Sequence, residues 1–367
     1  MPNPRVLVKG VGAYLPGERV AVEEIDSYLG KIPGVDMTKF YRIIEKYAGV
    51  KYRHYTLEKG SGKLLEDSPA LAFNAARLAL ERAGIAGSDV DLIITTTTTP
   101  PYLRAGLAKE VRRLLGNSGC ATYDLWGACT GVQQAITLAV GGIRSGLFRN
   151  ALLIGVEVVS TSGRAENITA DKIGRYEMLL RAALGDGAGA LVLSASDDPS
   201  DQEGVLYTKS GTEGDTETAF HREAGGSTLP FNQETFQEGL QHWQHDFSRM
   251  AMEGKPYFIE LIRRTLEEVG IPISDVAHIV PAAANFNYFR TEELAKSAEQ
   301  SDLLEQVREK VFTNFSEAGN IPSAAVYVAL NELFEEGKLE KGSLILLSSI
   351  EGATWGWGSS LLRWHGA

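Results

Sequence analysis

The sequence has few cysteines, no excess of positive charge and no long apolar run, and each of these absences excludes a class of protein. Its 367 residues contain only Cys120 and Cys129, too few for a disulfide framework, so we expect two free thiols. Thirty-six basic and 47 acidic residues give a formal net charge of −11, which argues against binding to nucleic acid or to an anionic membrane surface. The apolar stretches are strand-sized and interrupted, so no membrane-spanning helix is predicted.

Three further classes are disfavoured by local patterns. Residues Met1–Arg5 lack the apolar core of a signal peptide, and we expect a cytoplasmic protein. The histidines and cysteines show no paired spacing of metal ligands, so no metal is predicted. The glycine-rich run Gly185–Gly189 leads into a strand instead of opening a helix after one, so it lacks the geometry of a dinucleotide site and no cofactor is predicted.

The chain contains an internal repeat. The segment RLALERAGIAGSDVDLII from Arg77 aligns with RRTLEEVGIPISDVAHIV from Arg263 at one constant spacing. Each copy reads as an amphipathic helix, a glycine stop and an apolar strand. The repeat predicts two related halves, residues 1–200 and 201–367, joined by the polar stretch 196–203.

A second repeated segment concerns the candidate site. GLFRNALLIG from Gly146 resembles GKLEKGSLILLS from Gly337, and the spacing of this pair places Cys129 on Asn320. Both residues precede a long apolar helical pattern, so a thiol and a carboxamide are predicted at equivalent helix starts of the two halves.

Strand and helix patterns alternate in both halves, which predicts largely parallel sheets covered on two sides. The residues 211–239 show little periodicity and are predicted to be irregular. The predicted strands are Asp91–Thr96, Thr122–Leu125, Ala151–Val156, Gly189–Leu193, Gly204–Lys209, Ala277–Pro281, Ser343–Ser348 and Ser359–Arg363.

Cys129 is the candidate nucleophile. It lies in DLWGACTGVQQAI, where an apolar strand is followed by small residues and a helix. A thiol in the first turn of a helix meets unpaired N–H groups and the positive end of the helix dipole, so we expect a lowered pKa. The alternative is a buried and inert cysteine, which is the interpretation we favour for Cys120.

Four stretches carry a family resemblance over nearly the whole chain: GVGAYLPGERV, DLWGACTGVQQAI, LGDGAGALVL and EGATWGWGSSLLRW. In this order they resemble the thiolase-fold condensing enzymes of the ketoacyl-ACP synthase III group. The resemblance implies an α/β fold in which two duplicated βαβαβαββ halves form a five-layered αβαβα core. It also implies an acyltransferase that needs no bound cofactor.

The resemblance implies a Cys–His–Asn site. Cys129 matches the nucleophile, Asn320 the asparagine, and Gly352 the glycine whose N–H completes an oxyanion hole. Glu351 replaces a small residue beside that glycine. Gly352 could instead serve only a tight turn.

The family histidine is missing. In the family it follows a valine and a proline, and here Val280 and Pro281 are followed by Ala282, with Asn285 nearby. A methyl group can neither donate a hydrogen bond nor exchange a proton. Three explanations stand: an engineered change of histidine to alanine, an acyltransferase that does not decarboxylate an extender, and an impaired subunit of a heteromeric synthase.

The resemblance also suggests partners: acyl carrier protein or coenzyme A thioesters, and a second copy in a homodimer. Related enzymes stack adenine on a tryptophan near the position of Ile43, which lacks an aromatic face. We therefore expect carrier-bound acyl groups to matter more than free coenzyme A, unless Tyr41 or Tyr47 stacks instead. The segment Arg164–Arg181 reads as helical and longer than usual, which favours a bulkier acyl chain, as in polyketide assembly.

Two enzymatic functions and one non-catalytic function remain open on the sequence. Decarboxylative condensation in fatty-acid or polyketide biosynthesis is favoured by Asn320, and acyl transfer to an alcohol, amine or carbon nucleophile is favoured by Ala282. A non-catalytic partner would not need Cys129.

Overall fold

Two mixed β-sheets form the frame of the protein. The computed structural model describes residues 4–102, 105–213, 220–246, 249, 254–282 and 298–366. In spatial order, the first sheet contains β1 (Arg5–Tyr14), β7 (Gly187–Ser196), β6 (Asn150–Glu157), β4 (Leu92–Thr96) and β5 (Ala121–Leu125). The second sheet contains β11 (Val276–Pro281), β12 (Leu344–Ile350), β13 (Gly356–Arg363) and β8 (Val205–Thr212).

The two sheets have the same pattern of strand directions. In the first, β4 is parallel to β5 and β6, while β7 is antiparallel to both β6 and β1. In the second, β11 is parallel to β12, and β13 is antiparallel to both β12 and β8. Val311 forms a parallel bridge to Ile279 of β11, at the place that β5 occupies beside β4. The duplicated α/β architecture is thereby confirmed, and the division at residue 200 stays a prediction.

Helices fill the space between the sheets and cover their outer faces. The described α-helices are α1 (Ile25–Leu29), α2 (Thr38–Ile43), α3 (Ser68–Ala83), α4 (Leu107–Leu114), α5 (Gly131–Arg144), α6 (Arg175–Ala183), α7 (Gln233–Gln237), α8 (Lys255–Val269), α9 (Ala298–Lys310), α10 (Phe315–Ala318) and α11 (Ala325–Glu335). Among these, α5 and α11 contact both sheets, α3 and α4 cover the first sheet, and α8 and α9 cover the second. The order of layers is therefore α, β, α, β, α, as the resemblance implied.

The central layer carries the main core. Ile136 of α5 and Tyr327 of α11 are fully buried in one apolar cluster with residues of both sheets, and the thiol-bearing Cys129 packs against it. A helix pair whose inner faces are buried in this way fixes the starts of α5 and α11 relative to the two sheets. Cys129 lies directly before α5, and Asn320 lies in the segment that leads to α11.

Two short antiparallel strand pairs lie outside the two main sheets. Strands β2 (Val20–Ala21) and β3 (Tyr52–Arg53) pair with each other, as do β9 (Phe220–Arg222) and β10 (Trp243–His245). In the described part of 211–239 the prediction of an irregular segment is confirmed in part: residues 223–232 are irregular, but the segment also contains the end of β8, β9 and α7. The segment 164–181 is helical only in a 3₁₀ turn at Ala165–Asn167 and in α6.

Across the described ranges, the helices are too short or too polar to pass through a lipid bilayer.

Candidate active site

Cys129 lies in the turn that joins β5 to α5. The 3₁₀ turn Ala128–Thr130 follows β5 closely and runs straight into α5. Ala128 has a φ of 42°, a left-handed conformation that costs a non-glycine residue about 1–3 kcal/mol. Thr130 stabilises the turn, because its N–H and its hydroxyl both donate to the carbonyl of Gly127, at 2.9 Å each.

The start of α5 is pressed against the end of β4. A Cβ atom on Gly131 would lie 1.9 Å from Oγ1 of Thr96, so the helix can approach the strand this closely only with glycine at this position. The close packing brings the backbone N–H groups of the helix start to the edge where the parallel strands end. Cys129 is therefore held in position by the turn in which it lies and by the contact of Gly131 with Thr96.

The prediction of a lowered pKa for Cys129 is wrong. The residue keeps some accessible surface, but the atoms around the sulfur raise the pKa of the thiol to about 12. Desolvation is the largest cause, followed by the negative charges of Glu351 and Glu157. The backbone N–H of Cys129 acts in the other direction and is outweighed. The resting thiol is therefore protonated at neutral pH.

Glu351 organises the turn between β12 and β13. Its carboxylate accepts hydrogen bonds from the N–H groups of Ala353 at 2.5 Å, Thr354 at 3.1 Å and Gly356 at 2.9 Å, and from the Thr354 hydroxyl. A Cβ on Gly356 would lie 2.9 Å from Oγ1 of Thr130, so this turn packs directly on the turn of Cys129. The carboxylate of Glu351 is thus engaged within its own turn.

Gly352, the predicted oxyanion glycine, is buried in the same turn. None of the described residues accepts a hydrogen bond from its N–H. Because the turn is held by Glu351, the N–H of Gly352 has a fixed direction.

Asn320 is anchored through its backbone to the strand entry of the first half. Its N–H donates to the carbonyl of Ala183 and its carbonyl accepts from Gly185, at 2.9 Å each. Its side-chain Oδ1 is buried and lacks a hydrogen-bond partner among the described residues. Asn320 precedes α11 by five residues, so it belongs to the approach of the helix and not to its first turn.

Glu157, at the end of β6, connects these parts and was missed on the sequence. Its carboxylate accepts hydrogen bonds from the hydroxyl of Ser323 at 2.5 Å, from that of Thr99 at 2.8 Å, and from both the N–H and the hydroxyl of Thr98. Burial raises its pKa. The negative charge of Glu157 raises the pKa of Cys129, and its hydrogen bond with Ser323 holds the segment that follows Asn320. The sequence signal that could have revealed it is a single acidic residue inside the apolar run ALLIGVEVV.

Ala282 follows β11 and is buried in the central apolar cluster that Cys129 contacts. Its N–H donates to the carbonyl of Ser348 in β12 at 2.8 Å. The structure thus brings Cys129, Glu351, Gly352 and Ala282 to one region. Asn285 lies outside the described residues.

Comparisons with known proteins give a consistent result. The family model "3-Oxoacyl-[acyl-carrier-protein (ACP)] synthase III" matches residues 123–214, and its C-terminal model matches residues 266–364. A β-ketoacyl-[acyl-carrier-protein] synthase III of Symbiobacterium thermophilum is 33% identical over 306 residues, 82% of this chain and 84% of that one. The protein of the same name in Clostridioides difficile is 29% identical over 363 residues, 99% of each chain. The crystal structure of 3-oxoacyl-[acyl-carrier-protein] synthase III from Aquifex aeolicus superimposes with a TM-score of 0.76 at 26% identity, over 98% of this chain and 100% of that one.

Proposed function

Since the chain belongs to the 3-oxoacyl-[acyl-carrier-protein] synthase III family, we propose that it takes an acyl group from a thioester onto Cys129 and condenses it with a carrier-bound malonyl or β-ketoacyl thioester. The observation that carries this proposal is the packing of the Cys129 turn against the turn of Gly352. We propose that this condensation takes place in fatty-acid or polyketide biosynthesis.

In the first step, the sulfur of Cys129 attacks the carbonyl carbon of the donor thioester. The developing oxyanion accepts hydrogen bonds from the N–H groups of Cys129 and Gly352, which act only where charge develops. The carbon–sulfur bond of the donor then breaks, and the proton of the Cys129 thiol leaves with the donor thiol.

In the second step, the malonyl extender loses carbon dioxide, and the electron pair of the broken carbon–carbon bond forms an enolate. The Asn320 amide stabilises the enolate oxygen. The enolate carbon attacks the acyl carbonyl, a new carbon–carbon bond forms, and the sulfur of Cys129 is released. Ala282 contributes no hydrogen bond here, so the enolate is less stabilised than with a histidine.

The surface near α2 supports the binding of a carrier-bound donor. Tyr41 is buried, and its hydroxyl donates to Asp26 at 2.5 Å, so its ring is not available for stacking. Tyr47 is 62% exposed beside Ile43, in a shallow groove that also contains Lys39 and Lys46. These cations suit an acidic carrier protein, despite the negative charge of the whole chain.

A second candidate function is acyl transfer from Cys129 to an alcohol, amine or carbon nucleophile without decarboxylation. The burial of the Ala282 methyl group in the central apolar cluster favours it, because no imidazole is available to stabilise an enolate.

The two candidates are separated by one pair of variants. The protein is incubated with an acyl thioester and its intact mass is measured, and then malonyl-carrier protein is added and carbon dioxide release is followed. We expect an acyl adduct that is absent in Cys129→Ser, and faster carbon dioxide release in Ala282→His than in the unchanged protein. Acylation without carbon dioxide release in either form would favour the second candidate, and no adduct at all would contradict both.

We also propose a homodimer that pairs at the edge strand β5 and resides in the cytoplasm. Among the strands that the structure describes, β5 has a neighbour on one side only, and it exposes Tyr123, with the 68% exposed Trp126 just after it. Exposed aromatic residues on an unpaired strand are typical of an interface.

Both cysteines are free thiols, as is usual in a reducing compartment.

A further inference from the structure

A cluster of buried polar atoms without partners lies between α6 and the β9–β10 strand pair. Oε2 of Glu177, Nε of Arg222, Oε1 of Gln241 and Nδ1 of His242 have no hydrogen-bond partner within the described part of the chain. The exposed fractions of Glu177, Gln241 and His242 are only 8%, 8% and 3%. Because buried polar atoms in proteins are nearly always hydrogen-bonded, such a group of four indicates a site for a polar ligand.

The cluster is held in place by its own remaining contacts. Nε2 of His242 accepts the N–H of Thr169 at 3.0 Å, so the proton of the neutral ring is on Nδ1. That Nδ1 lies 3.2 Å from Oε2 of Glu177 without the geometry of a hydrogen bond. The N–H of Trp243 donates to Oε1 of Glu177 at 3.2 Å, and the guanidinium of Arg222 lies over the Trp243 ring, 5.5 Å from its centre.

The chemistry of the four atoms favours a hydroxyl group. Nε of Arg222 and Nδ1 of His242 are donors, whereas Oε1 of Gln241 and Oε2 of Glu177 are acceptors. Burial raises the pKa of Glu177 to about 7, and burial also lowers the pKa of His242. A hydroxyl both donates and accepts, while a carboxylate would be repelled by ionised Glu177 and could use only the donors.

An apolar path joins this cluster to the candidate active site. Glu177 and Leu180 lie one turn apart on α6, and Leu184 follows directly after the end of the helix in an extended conformation. Leu180 and Leu184 form an apolar cluster with Val159, against which Trp243 packs. Leu184 also forms a parallel bridge with Asn320. An acyl chain extending from Cys129 along this path would bring its far end to the polar atoms.

We propose that Glu177, Arg222, Gln241 and His242 form a subsite for a hydroxyl group near the far end of the acyl chain that Cys129 carries. The subsite rests on the proposed function, since the chain it recognises is the one that Cys129 accepts. When an unsubstituted chain is bound, the buried polar atoms of the subsite stay unpaired, which costs free energy. A chain with a hydroxyl group pairs with them and is therefore preferred.

The test compares three thioesters of equal chain length that end in a methyl, a hydroxyl or a carboxylate group. The rate of acylation of Cys129 is measured by intact mass over a range of thioester concentrations. We expect kcat/KM to be about tenfold higher for the hydroxyl chain than for the methyl chain, and lowest for the carboxylate chain.

Variants assign the preference to the cluster. In Glu177→Leu the preference for the hydroxyl chain should disappear, while the methyl chain is accepted at least as well as before. Arg222→Met, at a more exposed position, serves as a second variant should Glu177→Leu fail to fold, and it should lower the preference several-fold. Glu238→Gln is the matched control, because this exposed glutamate of the same segment pairs with Lys172 outside the cluster.

The outcomes distinguish the subsite from the proposed function. Equal rates for the methyl and hydroxyl chains, or a preference that survives in both variants, would overturn the subsite and leave the acylation of Cys129 intact. Failure of all three thioesters to acylate Cys129 would overturn both.

Discussion

Desolvation by the surrounding atoms, followed by the charges of two carboxylates, raises the pKa of Cys129. Glu351 belongs to the last hairpin and Glu157 to the end of β6, and each raises the pKa of the thiol. The N–H groups and the dipole at the start of a helix would by themselves lower the pKa of the thiol. Local position in a helix therefore does not determine the pKa of this cysteine, because desolvation and, after it, nearby buried charges outweigh the effect of the helix start.

Removing these charges should make the thiol more acidic. In Glu351→Gln, and to a smaller extent in Glu157→Gln, we expect the pKa of Cys129 to fall, by about one unit or less. The rate of alkylation by iodoacetamide, followed by mass spectrometry between pH 7 and pH 10, measures the effect. The unchanged protein should react about tenfold faster per pH unit, because this range lies below the thiol pKa of about 12.

The exposed Glu81 provides a control for these substitutions, since it lies on α3 and pairs with Arg77. Glu81→Gln should leave the alkylation profile unchanged. A profile of the unchanged protein that levels off near pH 7 would show that the thiolate is already formed, and would contradict the role given to the two carboxylates.

At the scale of elements, glycines on the strands let the central helices approach the first sheet. A Cβ on Gly155 of β6 would lie 1.7 Å from the carbonyl oxygen of Ser323, and one on Gly189 of β7 would lie 2.6 Å from Cβ of Tyr327. The approach to α11, which includes Asn320, is therefore seated directly on the strands. This contact sets the position of the Asn320 amide.

Gly155→Ala should push β6 away from the segment that precedes α11. We expect the free energy of unfolding to fall by about 3 kcal/mol, because the new methyl group overlaps backbone and not a flexible side chain. Urea denaturation measures the change. In the fraction that folds, condensation should be impaired more than the alkylation of Cys129, because Asn320 moves while the turn of Cys129 does not.

Gly141→Ala is the matched control on α5, since a Cβ there meets no atom within 4 Å. It should raise the free energy of unfolding by about 0.5–1 kcal/mol, the usual gain of alanine over glycine in an exposed helix. Equal stabilities of the two variants would argue against close packing at Gly155.

At the scale of the whole molecule, the surfaces of the two sheets differ at their edges. β5 ends the first sheet and exposes aromatic side chains, whereas the corresponding edge of the second sheet is bridged through Val311. An exposed aromatic edge is a suitable surface for a second copy, and it is the basis of the proposed homodimer.

A charge on this edge should dissociate the dimer. We expect Tyr123→Lys and Trp126→Lys to sediment as monomers at concentrations where the unchanged protein sediments as a dimer, since each places a charge in an apolar interface. Leu147→Lys is the control, because Leu147 is an equally apolar residue, 72% exposed, at the turn before β6. A dimer that persists in both edge variants would place the interface elsewhere.

Much of the fold could be predicted because its signals are local. All eight strands predicted from apolar runs are confirmed within a few residues, and the predicted duplication is confirmed. The prediction of largely parallel sheets is wrong, because both sheets also contain antiparallel pairs. The pair β9 and β10 was missed, since its strands have three residues each and are joined only by a long connection. Such a pairing leaves no periodic pattern in the sequence.

The sequence by itself determined the elements, their duplication, and the turn that carries Cys129, because hydrophobic period and glycine placement act between near neighbours. Only the tertiary structure decided the pKa of that thiol, the role of Glu157, and the meeting of Glu177 with Gln241 and His242. Desolvation and charge depend on which atoms are close in space. In this protein those atoms come from strands and helices far apart in the chain.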